Sequence, residues 1–454
     1  MSTWRFEQTL PYERSSVFEW HSRPGAVYRL TPPFMGEIAD GPSDGIQVGS
    51  ELTIALDGVP GRLKNWTSRH TELDPPRMFA DVAVSGPLPS WEHRHTFTEV
   101  DGGTQIVDEV SIEKGPLGLP ARAVESSVRS LFAYRHRQLA DELAAAQRYR
   151  GEGMRVAVSG SGGLIGSALV QYLRVLGFDV IPIRRAAESG EDFIAWNPRS
   201  QWVDREALST VDAIIHLAGE PIGKRFTQEH KDEVMISRFD PTRGLAQVAA
   251  DSERIKVFIS ASAIGYYGAN PGRKVDESAP PGEDFLAEVC NRWEKSARPA
   301  SKAGVRTAQV RTGIVLSPRG GSLAMQLPLF RAGLGGPLSD GWLSWITLDD
   351  LIGVYVHALL DDNASGPINA VGPNPVRGDE FARAIGHALR RPSLVPVPKF
   401  GPKLLLGRQG AEELALASQY VEPRALEELG FTFRHTDIRD ALTHILGGAK
   451  AEAA

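Results

Sequence analysis

The sequence predicts an α/β protein, with a doubly wound parallel sheet and a small C-terminal cap preceded by a separate α+β segment. Three observations carry this reading. A strand, a glycine-rich turn, a helix and a second strand follow one another from Arg155 to Arg185. Apolar runs and helix-period stretches then alternate to about Pro375, the pattern of a parallel sheet covered by helices. The first 148 residues instead show strand-period runs closed by one long amphipathic stretch.

In that first segment, runs near Leu52–Leu56, Leu63–Thr67 and Phe79–Val84 read as strands. Trp91, His93, His95 and Phe97 alternate with Glu92, Arg94 and Thr96, which is strand period. Asp101, Gly102 and Gly103 turn the chain into a further run through Ile106, Val107, Val110 and Ile112, completing a long antiparallel hairpin. From Pro120 to Arg148 the period becomes helical, with Val124, Val128, Leu131, Phe132, Leu139 and Leu143 on one stripe. The stretch from Arg148 to Gly153 reads as a linker. His93 and His95 share a strand face at a spacing that suits a metal, but no third ligand in register stands out. The pair is therefore read as the lining of a polar cavity, and no metal is expected.

The glycine-rich turn carries the first functional expectation. Gly160, Gly163 and Gly166 stand at GxxGxxG spacing between the run Val156–Val158 and a helix opening at Leu164 and Ile165. Glycines there let the backbone turn tightly against a pyrophosphate, whose charge the helix N-terminus favours. An NAD site places an acid about 20 residues on, at the end of the second strand, to hold the ribose 2′-hydroxyl. This chain has Arg184 and Arg185 there and no acid until Glu188. Two guanidiniums suit a 2′-phosphate, so NADP(H) is expected over NAD(H).

The later strands are expected at Ala213–Leu217, Val257–Ser260 and Thr307–Leu316. Helices are expected at Asp379–Leu389, Gly410–Ala417 and Arg424–Leu429, forming the cap. The resulting domains are 1–148, 154–375 and 376–447, with a frayed Ala-rich tail from Gly447 to Ala454. With 454 residues, 42% apolar and 23% charged, the composition is that of a soluble globular chain. A formal charge of −6 gives no reason to expect nucleic acid or an anionic membrane as partner. The single cysteine, Cys290, excludes an intrachain disulfide framework and fits a reducing cytoplasm. No apolar stretch reaches the ~18 residues of a membrane span, and the N-terminus lacks a signal-peptide apolar region.

With these residues in hand, 154–445 resembles the extended short-chain dehydrogenase/reductase superfamily, and within it the nucleoside-diphosphate-sugar epimerase-like group. The phrases that carry the resemblance are HLAGEPI, SASAIGYYG, DFLAEVCNRWE, VRTGIVLSPRGG and SWITLDDL, with the tail GFTFRHTDIRDAL. It implies a Rossmann domain, a substrate-side cap, and an oxidoreductase or epimerase acting on a small, sugar-nucleotide-like substrate. The first 148 residues resemble the START-like superfamily that includes polyketide cyclases. That likeness implies a helix-grip fold and an apolar ligand in the N-terminal domain.

The superfamily moves protons with a Tyr-x-x-x-Lys pair and a Ser. Aligning Glu294 with the acid that follows the pair puts Leu286 and Cys290 at the Tyr and Lys positions, so the usual dyad is absent. Ser262 stands about where the family Ser contacts substrate, and Tyr266 or Tyr267 is the candidate acid. Cys290 reads as a small buried hydrophobe or a reactive thiol, and Glu288 as a solvated helix carboxylate. The resemblance brings Leu217, Ala218 and Gly219 past the adenosine, and Glu233 and Arg238 toward the cofactor. Asp349 and Asp350 are read as caps of the helix starting at Leu351. The alternative reading is a non-catalytic NADP(H)-binding sensor or carrier.

Overall fold

The computed structural model describes residues 2–41, 45–59, 61–88, 90–113, 121–395, 397 and 400–452. Two compact units result, Met1–Arg148 with Thr443–Ala454, and Tyr149–Leu442. No helix among the described residues is long and apolar enough to cross a membrane.

The first unit is a seven-stranded antiparallel sheet. Its strands are β1 (Ser2–Leu10), β2 (Gly36–Asp40), β3 (Glu51–Leu56), β4 (Asn65–Asp74), β5 (Met78–Ser85), β6 (Glu92–Val100) and β7 (Gly103–Ile112), in spatial order β1-β7-β6-β5-β4-β3-β2. Leu63 lies in a short 3₁₀ turn, Gly61–Lys64, so β4 starts later than its apolar run suggested. Two short helices, α1 (Arg14–Ser22) and α2 (Ala26–Leu30), separate β1 from β2, and α3 (Ala121–Arg148) closes the unit. Pro120, the expected start of α3, lies outside the described residues. Val128, Leu131 and Phe132 of α3 are buried against Phe6, Val110 and Ile112 of the sheet and against Trp91 just before β6, with Val124 at the margin. Each such side chain contributes about 1.5–3 kcal/mol.

The tail is not frayed over its described part. The N–H of Ala451 donates to Arg129 O at 2.9 Å, Ser130 Oγ donates to Gly447 O at 2.9 Å, and Lys450 Nζ donates to Ser126 O at 2.8 Å. His444 stacks on Tyr134 at 4.5 Å. Residues from Thr443 on therefore belong with α3, not with the cap expected to run to 447. Ending the chain after Gly448 removes the Ala451 and Lys450 bonds and should cost about 1–3 kcal/mol. A thermal midpoint unchanged by that truncation would show that the tail contributes nothing.

The second unit is built on an eight-stranded sheet. It contains β8 (Arg155–Ser159), β9 (Asp179–Arg185), β10 (Ile194–Asn197), β11 (Trp202–Val203), β12 (Ala213–His216), β13 (Val257–Ala263) and the strands Arg306–Thr312 and Gly366–Ala370. The order is β11-β10-β9-β8-β12-β13, then Arg306–Thr312, then Gly366–Ala370. All pairings are parallel except that of the edge strand β11. Both faces are covered, so the central strands are apolar throughout: Val156, Ala157, Val158, Ile214 and Ile215 are fully buried. The strand expected over Thr307–Leu316 breaks at Gly313, where a Cβ would lie 2.6 Å from Ser344 O. Ile314–Leu316 pairs instead with Trp345–Thr347. The C-terminal helices are Gly378–Leu389, Phe400–Gly410 with the π-turn Ala411–Ala415, Arg424–Glu428 and Ile438–Ile445, the last beginning in this unit.

Candidate cofactor and active site

The sheet reverses its winding between β8 and β12, and ligands of open α/β sheets bind beyond the strand ends at such a point. Beyond β8, Gly160 takes a positive φ of 71°, and a Cβ there would lie 2.8 Å from Ala218 N. The turn and the Leu217-Ala218-Gly219 segment, separate in sequence, are thus in contact. Gly166 is required by packing, since its Cβ would meet Gly160 O at 2.1 Å. At Gly163 the corresponding approach is 3.4 Å, so space alone does not demand glycine. Gly163 is the N-cap of α4 (Leu164–Val175) and offers no side chain to its first N–H groups. Gly162 and Gly163 are exposed, and Leu164 and Ile165 are half-buried. The turn fits a pyrophosphate: glycine where the backbone must approach, and an uncapped helix N-terminus facing outward.

Both Arg184 and Arg185 are exposed at the end of β9. Arg184 lies 3.7 Å from Asp192 and 5.5 Å over the Phe193 ring. An ion pair this exposed holds its guanidinium weakly and leaves it available to an incoming phosphate.

Beneath the turn runs a buried polar chain. Ser159 Oγ lies 2.6 Å from His216 Nδ1, and His216 Nε2 lies 3.0 Å from Thr242 Oγ1. Thr242 on α6 (Gln228–Asp251) donates to Arg238 O and accepts from Trp293 Nε1. The Thr242 proton is therefore used, so His216 donates to it through Nε2. Burial together with the Arg238 charge lowers its pKa to about 3, so the imidazole is neutral and its Nδ1 accepts from Ser159. Arg238 is itself buried and stacked over Trp293, and it donates to the carbonyls of Val234 and Glu220. Burial lowers its pKa to about 10. Gly219 seats it, with a Cβ there 3.1 Å from the guanidinium carbon. Glu233 does not join Arg238: its half-exposed side chain faces Arg199 at 3.7 Å.

The candidate catalytic residues gather around an ion pair that the sequence reading missed. Arg311 holds Glu294 in two parallel bonds of 2.8 and 2.9 Å. Ser262 donates to the same carboxylate at 2.8 Å. Arg311 also donates to the Tyr267 hydroxyl at 2.8 Å, which in turn donates to Asn369 at 2.7 Å. The Ser262 and Tyr267 hydroxyls are thus buried and committed to structure. Burial, only partly offset by Arg311, pushes the Tyr267 phenol up to about 12. Tyr266 differs: its half-buried ring lies under the Arg311 guanidinium at 3.5 Å. On α7 (Phe285–Ser296), Leu286 and Cys290 are both buried. Burial pushes the Cys290 thiol up to about 12, which suits a small hydrophobe and not a nucleophile. Glu288 is exposed and pairs with Arg292. The helix cap expected from Asp349 and Asp350 is Thr347, while Asp350 is buried and accepts from the backbone N–H groups of Arg434 and His435.

In the first unit, His93 and His95 are buried on β6, and the third group absent from the sequence reading is Asp81 on β5. Strand register pairs Asp81 directly with His93.

Comparison with known proteins places these features in a family. The pattern of the NAD dependent epimerase/dehydratase family matches residues 156–332. Domains of unknown function match at 56–143 (DUF8410) and 397–445 (DUF1731). Epimerase family protein Mb2239 of Mycobacterium bovis is 41% identical over 290 residues, 63% of this chain and 96% of its own length. A crystal structure described as the nucleoside-diphosphate sugar epimerase of Corynebacterium glutamicum superposes with a TM-score of 0.83 at 37% identity, covering 98% of this chain and 91% of that one. Human epimerase family protein SDR39U1, crystallised with NADPH, aligns at 31% identity with a TM-score of 0.59 over 64% of this chain and 99% of its own. These features define an NAD(P)-dependent protein of the short-chain dehydrogenase/reductase type. The chain belongs to the epimerase family.

Proposed function

We propose that the second unit binds NADP(H) and uses it on a small, sugar-nucleotide-like substrate, as an epimerase or oxidoreductase without the Tyr-x-x-x-Lys pair. The observation that carries this is the pairing of the Gly160–Gly166 turn with two exposed arginines, Arg184 and Arg185, at the end of β9. The NADPH in the SDR39U1 crystals supports it. Gly160, Gly163 and Gly166 with the N–H groups of Leu164 and Ile165 would hold the pyrophosphate. The two arginines would hold the 2′-phosphate, and Leu217, Ala218 and Gly219 the adenosine side. When bound, the nicotinamide supplies hydride transfer. The chain's part is to orient the substrate and move a proton, and Tyr266 is the phenol placed to do so.

Fluorescence titration should give tighter binding of NADPH than of NADH. Losing a charge-assisted contact costs about 1.5–3 kcal/mol, roughly 10- to 150-fold in affinity. Arg184→Ala with Arg185→Ala should remove that preference, and equal affinities in the native protein would sink the reading. In a hydride-transfer assay Tyr266→Phe should lower kcat by about 10²–10⁴-fold. Ser262→Ala, Tyr267→Phe and Cys290→Ala should act mainly on stability. Loss of turnover in Cys290→Ala with an unchanged Tyr266→Phe enzyme would reassign the chemistry to the thiol.

A second reading, a non-catalytic sensor or carrier, is favoured by the first unit. Its order of strand, short helices, antiparallel sheet and long helix resembles START-like domains. A cavity of about 130 Å³ opens between Trp66, Phe79, Trp91 and Leu131. We read this as a site for an apolar ligand. NADPH binding with no acceptor ever reduced, together with ligand-dependent stabilisation of the first unit, would select this reading.

A further inference from the structure

We propose that the first unit binds a divalent transition-metal ion of the Zn²⁺ class on Asp81, His93 and His95, with an open coordination position facing its cavity. The site is built by strand register. Asp81 on β5 lies opposite His93 on β6, and His95 follows two residues later on the same face. One ligand atom from each of the three lies within 4.8 Å of the others.

The hydrogen-bond network fixes which atoms are free to ligate. Asp108 on β7 receives both imidazoles: His93 Nε2 lies 3.1 Å and His95 Nδ1 lies 2.6 Å from the same carboxylate oxygen. A carboxylate only accepts, so both of those nitrogens carry hydrogen. In the neutral rings this leaves His93 Nδ1 and His95 Nε2 as lone-pair donors. A carboxylate behind a ligating imidazole is the usual outer shell of a metal site, and here one carboxylate orients two rings. His93 Nδ1 then faces Asp81 Oδ2 at 3.3 Å, two electron-rich atoms directed at each other. Only a cation between them resolves that, either a proton on His93 or a metal. Ligand bonds of about 2.0–2.1 Å separate neighbouring donors by about 2.8–3.0 Å in octahedral and about 3.3–3.4 Å in tetrahedral geometry, and the observed pair matches the tetrahedral spacing.

The surroundings agree with a metal of this class. Two imidazoles and one carboxylate suit Zn²⁺, Fe²⁺ or Co²⁺ better than Mg²⁺ or Ca²⁺. Arg135, the half-buried cation on α3, acts electrostatically on both carboxylates and offsets one of them. Asp81, Asp108 and Arg135 together leave one net negative charge to receive the ion. His21, His70 and Arg135 line the same cavity, so the remaining coordination position opens onto a pocket with apolar walls and a polar floor.

The test uses the full chain, stripped with a chelator and titrated with Co²⁺. The expected result is one Co²⁺ per chain, with the visible absorption of imidazole–carboxylate ligation, displaced by Zn²⁺. Asp81→Asn and His95→Gln should each weaken binding by about 100-fold or more, and Asp108→Asn by about 10–100-fold. Anomalous diffraction from Zn²⁺-soaked crystals of the native protein should place the ion between Asp81 and His95, a result that needs no variant to fold. Absence of one-equivalent binding would overturn the proposal. So would affinity unchanged in both Asp81→Asn and His95→Gln, or an ion located on other residues.

Discussion

Replacing Arg311 by Met should destabilise the second unit by about 3–5 kcal/mol, because it leaves the Glu294 carboxylate buried without its partner. The Arg311 and Glu294 side chains are only 3% and 13% exposed. Arg311 reaches both carboxylate oxygens and the Tyr267 hydroxyl, and its guanidinium covers the Tyr266 ring. When the guanidinium goes, the carboxylate loses both bonds and its desolvation cost falls on the fold. Glu294→Gln should cost a similar amount by stranding the cation. The double variant Arg311→Met with Glu294→Leu should recover much of the loss, since it buries neither charge. Urea unfolding of all three, compared at equal m-value, reads this directly. An Arg311→Met protein within about 0.5 kcal/mol of the native one would show that the pair is not structural. The pair then returns as a candidate for substrate binding.

That ion pair also marks where sequence reasoning reached its limit. The turn at Gly160–Gly166, the strand at Val156–Val158 and the long helix ending at Arg148 were legible because each is fixed by neighbours within about two turns of chain. Local period and glycine spacing report such features directly. Arg311 and Glu294 lie 17 residues apart on a strand and a helix, and only packing brings them together. One signal was present: an arginine inside the apolar run ending in VRTG, where a strand buried on both faces requires its charge to be paired. Asp81 escaped for the same reason, since the register of β5 against β6 sets it beside His93 and nothing in the spacing of His93 and His95 does. Ser262 lies two residues past the strand end expected at Ser260, and strand period alone does not show its hydroxyl buried against the Glu294 pair. The tail looked frayed from its composition, yet its backbone bonds to α3, a contact more than 300 residues distant in sequence.

Acid should expose the other large effect, through His216. In its neutral form it accepts from Ser159 and donates to Thr242 beside the Arg238 guanidinium. Its pKa of about 3 lies below the ordinary histidine value of 6.5. The unfolded chain therefore takes up a proton first. Stability is undiminished above pH ~6.5 and is lost on acidification at about 1.4 kcal/mol per pH unit, reaching about 4–5 kcal/mol near pH 3. In the first unit His21 and His95, lowered by burial to about 4 and about 3, add losses of the same sign. Comparison with His216→Gln separates the contributions, because the glutamine amide can both accept from Ser159 and donate to Thr242 but cannot titrate. Between pH 6.5 and 4.5 the slope of unfolding free energy against pH should be smaller in the variant by about one proton. Parallel profiles, offset but equal in slope, would mean that His216 is already protonated in the folded state. The hydrogen-bond assignment beneath the glycine turn would then have to be reversed, with Ser159 accepting from the imidazolium.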